Sequence, residues 1–156
     1  MDNTTDEKPA TSILYVEDDD DTQKIVTEFL RSKFPRITLL LAKNGQEGLD
    51  IYAKNSPDIV VTDVRMPIID GIQMAKKIKE LDNDAQIIVL SAADEVTCIL
   101  EAIDIGIHHY VLKPLKMEKL VATLERCLDR ISQFKIRFTQ TRSKWSDVFS
   151  KSRQND

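Results

Sequence analysis

Short runs of β-branched and aliphatic residues alternate along this chain with longer segments whose apolar positions recur every three or four residues, and the alternation repeats five times. Ile13-Leu14-Tyr15-Val16 reads as a first strand. Ile25, Val26, Phe29 and Leu30 then make one apolar helix face, which Phe34-Pro35 ends because proline lacks the N–H a helix needs. Ile37 to Ala42 is a second strand. A turn at Asn44-Gly45 leads into a helix bearing Leu49, Ile51 and Tyr52 that stops before Ser56-Pro57. Ile59-Val60-Val61-Thr62 is the third strand, after which Ile72, Ala75, Ile78 and Leu81 step along one helix face. Ile87 to Leu90 is the fourth. Val96, Ile99, Leu100 and Ile103 are expected to face the core from the following helix, with Gly106 as its C-terminal cap. Tyr110-Val111-Leu112 is the fifth strand, and a last helix begins beyond Lys113-Pro114.

Strands that are apolar on both faces and joined by helices predict a parallel sheet covered on both sides, with right-handed crossovers. The expected fold is therefore α/β: a doubly wound, flavodoxin-like sheet of five parallel strands in the order 2-1-3-4-5, with five helices and an extended C-terminal helix. In such sheets ligands bind at the carboxyl ends of the strands, near the switch between strands 1 and 3. Composition adds limits rather than detail. The 156 residues, 42% of them hydrophobic, suit one core. The N-terminus lacks a signal-peptide pattern and no apolar run approaches the ~20 residues of a membrane span, so no membrane association and a cytoplasmic location are expected. Cys98 and Cys127 read as reduced thiols within helices. Charge changes the picture more: the chain is net −4, yet residues 134–156 carry six basic and two acidic side chains. The expected boundaries are a disordered tail over 1–11, a globular domain over 12–133 and a basic helical extension or linker over 134–156.

The residues that follow each strand point to chemistry. Glu17-Asp18 follow strand 1, Asp63 strand 3, Ser91 strand 4 and Lys113 strand 5, whereas edge strand 2 is followed only by Ala42-Lys43. Asp19, Asp20 and Asp21 are read as capping the first helix. Three carboxylates crowded at one edge repel one another, and a cation relieves that. Mg²⁺ is the natural candidate, a hard ion held by oxygen ligands and often by phosphate. A phosphoryl group there would be neutralised by the ion and by Lys113, with Ser91 donating to one of its oxygens, and Asp63 could act as the nucleophile. His108-His109 precede a strand and project to opposite sides, so they are read as a surface loop rather than a joint metal site.

Four stretches of the chain resemble the receiver domain of two-component response regulators. They are Ile13-Leu14-Tyr15-Val16-Glu17-Asp18-Asp19, Pro57 through Gly71 (with Asp63, Met66-Pro67 and Asp70-Gly71), Ile87-Ile88-Val89-Leu90-Ser91-Ala92 and Tyr110-Val111-Leu112-Lys113-Pro114. The resemblance implies that Asp63 is the phosphoacceptor, served by a sensor histidine kinase, a phosphotransfer protein or a small phosphodonor. It implies Mg²⁺ ligation by Asp18, Asp63 and the backbone carbonyl of Arg65, with Glu17 acting through a water. It implies that Lys113 bridges to the phosphoryl oxygens across a cis bond to Pro114, and that Ser91 and Tyr110 move as a switch. Arg65 and Ala93 occupy positions that tune the phosphoryl lifetime in that family. The implied output is a signalling switch, not an enzyme. It would reshape the surface of helix 4, strand 5 and helix 5, with a homodimer through that surface or through the C-terminal helix as one option.

Two rival functions are weighed against the switch. An aspartyl-nucleophile phosphatase resembles a pattern with a second Asp two residues after the nucleophile, where this chain has Arg65. A receiver-like binding module that is never phosphorylated would not need the full charge set. Beyond the domain, Met117, Val121, Leu124, Leu128 and Ile131 keep a four-three rhythm that also lands on Phe138, Trp145 and Phe149, interrupted by Lys135 and Arg142. This is consistent with a signalling helix or coiled coil, or with a helix that ends near Phe134 before a basic tail. The extension is too short for a winged helix or helix-turn-helix, so nucleic-acid binding is not expected of it.

Overall fold

The computed structural model describes the backbone of residues 11–152 and the side chains of these residues apart from 135 and 137–152. Strands and helices alternate: β1 (Ser12–Val16), α1 (Asp20–Lys33), β2 (Thr38–Ala42), α2 (Gly45–Asn55), β3 (Ile59–Asp63), α3 (Gly71–Leu81), β4 (Gln86–Ser91), α4 (Val96–Asp104), β5 (His109–Leu112) and α5 (Met117–Ser152). The strands form one parallel sheet in the order β2-β1-β3-β4-β5, which is the expected doubly wound, flavodoxin-like architecture. β1, β3 and β4 are buried along nearly their whole length, while edge strands β2 and β5 are partly exposed.

Alternation along the strands builds the core in two layers. Leu14, Val16, Val60, Ile87 and Val89 pack into one cluster with Tyr52 of α2, Ile72, Met74, Ala75 and Ile78 of α3, and Ala102 of α4. The intervening positions, among them Ile13, Tyr15, Ile59, Val61 and Ile88, are equally buried, and Ile13 lines a small cavity with Leu30 and Phe34. Three helices start on short polar side chains. Asp19 Oδ1 accepts from the Thr22 N–H at 2.7 Å, Asn44 Oδ1 from Glu47 at 2.8 Å and Asp70 Oδ1 from Gln73 at 2.8 Å, each a cap of about 1 kcal/mol. α4 begins without any side-chain cap bond.

Several apolar positions face elsewhere than the sequence predicts. Ile25 lies on the solvent side of α1, whose buried face uses Gln23 and Thr27 beside Val26 and Leu30. Leu81 is 71% exposed, and Met74 takes its place in the core. The largest correction concerns α4: Val96, Leu100 and Ile103 are exposed, and the helix turns Cys98 and Ala102, followed by Ile105, toward the core cluster. Two stripes at helical spacing compete there, and the one centred on small Ala102 lies inward because a methyl group lets the helix approach the sheet closely. His109 opens β5, paired with Ile88, so only His108 precedes the strand. Gly106, at φ +89°, follows the end of α4 in the left-handed region that glycine adopts most readily.

The chain divides into two compact units, residues 1–120 and 121–156, with the break inside α5. The helix itself continues past Phe134 to Ser152. Within the second unit Val121, Thr123, Leu124 and Cys127 are buried, and Phe134 and Ile136 are exposed. Both cysteines are free. Residues 1–10 of the expected tail, residues 153–156, and the side chains of Lys135, Phe138, Arg142, Trp145 and Phe149 lie outside the described residues. Among the described residues, no helix is long and apolar enough to cross a membrane.

The two kinds of aliphatic position are separable by urea denaturation. Ile78→Ala removes a fully buried side chain and is expected to cost about 2–5 kcal/mol, whereas Leu100→Ala, on the exposed face of α4, is expected to stay within about 0.5 kcal/mol. A loss above 2 kcal/mol for Leu100→Ala would return that face to the core.

Candidate functional site

Strand register assembles the polar cluster. β1 and β3 pair through Val16 and Thr62, β3 and β4 through Asp63 and Leu90, and β4 and β5 through Ser91 and Leu112. Continuing each strand by at most one residue brings Glu17, Asp63, Ser91 and Lys113 to the same end of the sheet. Glu17, Asp18 and Asp63 each offer a carboxylate oxygen, and these oxygens lie within 4.8 Å of one another. Glu17 and Asp63 are buried and Asp18 is exposed.

Asp63 is held asymmetrically. Lys113 Nζ donates to its Oδ1 at 2.5 Å and the Val64 N–H donates to the same oxygen at 2.9 Å, while no described residue donates to Oδ2. Behind it the backbone is drawn tight, with the Thr62 hydroxyl donating to the Asp63 carbonyl at 2.8 Å and the Gly71 N–H to the Val64 carbonyl at 2.8 Å. A Cβ at position 71 would collide with the Asp63 carbonyl oxygen, so the approach of α3 to the end of β3 requires glycine. Lys113 is fixed in turn by its own N–H, which donates to the Ser91 carbonyl at 2.8 Å, and its bond to Pro114 is cis, as the resemblance implies.

Glu17 carries the electrostatic strain. Its carboxyl is pushed up to about 7, first by burial and then by the negative charge of Asp63; the Asp19 N–H, donating at 3.2 Å, and the charge of Lys113 oppose this incompletely. Buried Tyr15 contacts it from below, with a long hydrogen bond of 3.5 Å from its hydroxyl, and that phenol is raised by burial and then by Glu17. Gln23 reaches from α1 to donate to the Ala42 carbonyl at 2.9 Å and the Glu17 carbonyl at 3.4 Å, tying the ends of β1 and β2 together. A cluster of hard oxygen donors that is short of positive charge suits a divalent cation, and Glu17, Asp18 and Asp63 are the side chains that could hold one.

The other predicted residues lie nearby but make different contacts. Ser91 is fully buried, and its Oγ donates to the Ala92 carbonyl at 3.3 Å rather than to Asp63. Tyr110 is half-buried and donates its hydroxyl to the Ile107 carbonyl. The Arg65 side chain pairs with the β4–α4 loop, donating from Nη2 to Asp94 Oδ2 at 3.0 Å with Nε 3.7 Å from Glu95 Oε2. Sequence reasoning missed Tyr15, Gln23 and Glu95. Gln23 left one signal, a polar residue within an otherwise apolar helix face. Glu95 left none, because an acid before a helix reads as a cap.

Residues 13–125 match the family model described as the response regulator receiver domain. The response regulator MprA of Mycobacterium sp. strain KMS is 38% identical over 122 residues, which are 77% of this chain and 51% of that protein. The chain thus spans about half the length of the curated relatives it matches. Among solved structures, the N-terminal domain of an uncharacterized protein from Wolinella succinogenes is similar at 33% identity and a TM-score of 0.72, covering 81% of this chain and 99% of that one. A chain of the CheX–CheY–BeF3–Mg²⁺ complex from Borrelia burgdorferi matches at 26% identity and a TM-score of 0.69, covering 76% of this chain and 89% of that one.

The raised carboxyl of Glu17 makes stability depend on pH. Unfolded, the group titrates near 4.5 and folded near 7, so the folded state holds an extra proton between these values. Its contribution is complete below about pH 4.5 and is lost as pH rises to about 7. In a chelator, the difference in urea midpoint between the wild type and Glu17→Gln is expected to change across that window in favour of the variant. A difference that stays flat contradicts the raised value.

Proposed function

The chain belongs to the response regulator receiver domain family of two-component signalling, and from that premise we propose that Asp63 accepts a phosphoryl group and that its occupancy sets a signalling switch. Receiver domains generally act as switches rather than as enzymes, and a cytoplasmic site of action goes with this reading. One observation carries it: an ammonium, Lys113, bonded at 2.5 Å to one oxygen of a buried aspartate whose neighbours are two further carboxylates. A structural ion pair needs no such acidic surplus; a site for a divalent cation and a phosphoryl group does. The Borrelia complex, which contains BeF3 and Mg²⁺, supports the same chemistry for this fold.

In the proposed reaction Asp63 Oδ2, the oxygen to which no described residue donates, attacks phosphorus. The donor is a phosphohistidine of a sensor kinase or phosphotransfer protein, or a small phosphodonor. With phosphohistidine the P–N bond breaks as the P–O bond forms, and the departing imidazole nitrogen takes up a proton. Mg²⁺ held by Asp18, Asp63 and the Arg65 backbone carbonyl, with Glu17 acting through water, would supply positive charge for the phosphoryl oxygens. Lys113 holds Asp63 in place before transfer and then follows the charge outward to a phosphoryl oxygen. Ser91 Oγ gives up the Ala92 carbonyl for another phosphoryl oxygen, and Tyr110 gives up the Ile107 carbonyl. These exchanges change the face of α4, β5 and the first turn of α5, where Val96, Leu100, Ile103 and Leu112 are already exposed to meet an output partner, an output domain or a second copy.

Incubation with Mg²⁺ and acetyl phosphate, followed by intact-mass measurement, is expected to show one added phosphoryl group. Asp63→Asn is expected to gain none, and Lys113→Ala to gain it about a hundredfold more slowly. A phosphorylated Asp63→Asn variant would sink the assignment. Omission of Mg²⁺ in the presence of a chelator is expected to abolish labelling.

A further inference from the structure

Glu95 lies just before α4, four residues beyond Ser91, and is only 3% exposed. A buried carboxylate is costly unless its oxygens are bonded. One of them is: Glu95 Oε1 accepts from the Ala92 N–H at 2.7 Å. The Glu95 N–H returns a bond to the Ala92 carbonyl at 3.1 Å, the same carbonyl that takes the Ser91 hydroxyl at 3.3 Å. Glu95 therefore grips Ala92, the residue after Ser91, at both its N–H and its carbonyl. Its other oxygen, Oε2, is buried without a hydrogen-bond partner. The cation nearest in the ion-pair geometry is Arg65, whose Nε is 3.7 Å away while its Nη2 is committed to Asp94. Arg65 belongs to the β3–α3 loop, two residues after Asp63, so Glu95 and Asp94 together strap that loop to the β4–α4 loop. The strap is not helix capping, because α4 has no side-chain cap bond.

We propose that Glu95 is a positioning residue for the Asp63 site: it clamps the Ser91–Ala92 segment in the resting form and, through Arg65, makes release of that clamp responsive to the charge on Asp63. This rests on the reading of Asp63 as phosphoacceptor. In the resting form the Ser91 hydroxyl is occupied by the Ala92 carbonyl that Glu95 steadies. To reach a phosphoryl oxygen it must leave that carbonyl, and it does so more easily if the segment can move. The clamp is made to be released, because half of the Glu95 carboxylate is held by an ion pair too long for a hydrogen bond. New negative charge on Asp63 competes for the same guanidinium, and once Arg65 turns toward it Glu95 loses the one counter-charge it has among the described residues. Glu95 never touches the reacting atoms; it acts through Ser91 and Arg65.

Two readouts on the full chain test this: amide hydrogen exchange at Ala92 without ligand, and the apparent affinity for BeF3⁻ in the presence of Mg²⁺. Glu95→Ala removes the acceptor and the charge, and is expected to speed Ala92 exchange and tighten BeF3⁻ binding, each by about tenfold. Glu95→Gln keeps an acceptor for the Ala92 N–H, so exchange is expected near the wild-type rate, with binding tightened by about two- to threefold through loss of the pull on Arg65. A residue that merely supports the fold would lower the melting temperature without tightening binding. Unchanged or weaker BeF3⁻ binding in a folded Glu95→Ala variant overturns the proposal, as does Ala92 protection equal to wild type. If Glu95→Ala does not fold, Arg65→Ala, which strips Glu95 of its counter-charge, must speed Ala92 exchange, and an unchanged rate there overturns it equally. If the wild type itself fails to bind BeF3⁻ with Mg²⁺, the phosphoacceptor reading fails, while Ala92 exchange still reports the clamp.

Discussion

Three carboxylates and one ammonium share the end of a parallel sheet, and that imbalance of charge is what the surrounding structure is built to hold. Glu17, Asp18 and Asp63 would separate if the chain allowed it. They do not, because the two buried ones are fixed by neighbours in the core or tied to it: Asp63 by the last pairing of β3 with β4, Glu17 by Tyr15 beneath it and Gln23 beside it. Lys113 offsets part of the repulsion from the adjoining strand end. The remainder appears as the raised carboxyl of Glu17, the electrostatic signature of a place that a cation would complete.

Rigid packing makes this crowding sustainable. The two layers of aliphatic side chains on β1, β3 and β4 leave the sheet little freedom, and close-packed interiors transmit strain rather than absorb it. Gly71 shows how little room there is: the start of α3 presses so near the Asp63 carbonyl that even a methyl group has no space. The contrast lies one loop away. Between β4 and α4 the contacts are polar and few, and one of them is an ion pair on an Arg65 side chain that is 70% exposed. The Arg65–Asp94 pair, exposed on both sides, contributes little to stability, which leaves that guanidinium free to change partner.

Much of this was legible in the sequence, for one physical reason. In a parallel α/β sheet the strand ends converge, so the residues following five recognisable apolar runs name the cluster before any coordinate exists. Asp63, Glu17 and Lys113 were readable in that way, and so was the strand order. What periodicity cannot provide is the rotation of a helix that carries two apolar stripes. α4 contains both, and the inward one is decided by how closely Ala102 lets it approach the sheet. Side-chain partners across loops were equally hidden. Arg65 could have faced Asp63, and its pairing with Asp94 and Glu95 depends on loop paths that no local pattern encodes. The continuity of α5 past Phe134 was left open by the sequence because Lys135 and Arg142 break the apolar rhythm without breaking helical propensity.

α4 has nine residues, one fully buried side chain and no side-chain cap. A helix that short, tethered that lightly, has a small free energy of opening compared with the domain as a whole, because little apolar surface is uncovered when it frays. Its amides should therefore exchange by local fluctuation, while those of β3 and β4 wait for global unfolding. The molecule thus keeps a soft segment directly beside its stiffest one, and thermal noise is concentrated where the Asp63 cluster adjoins the surface.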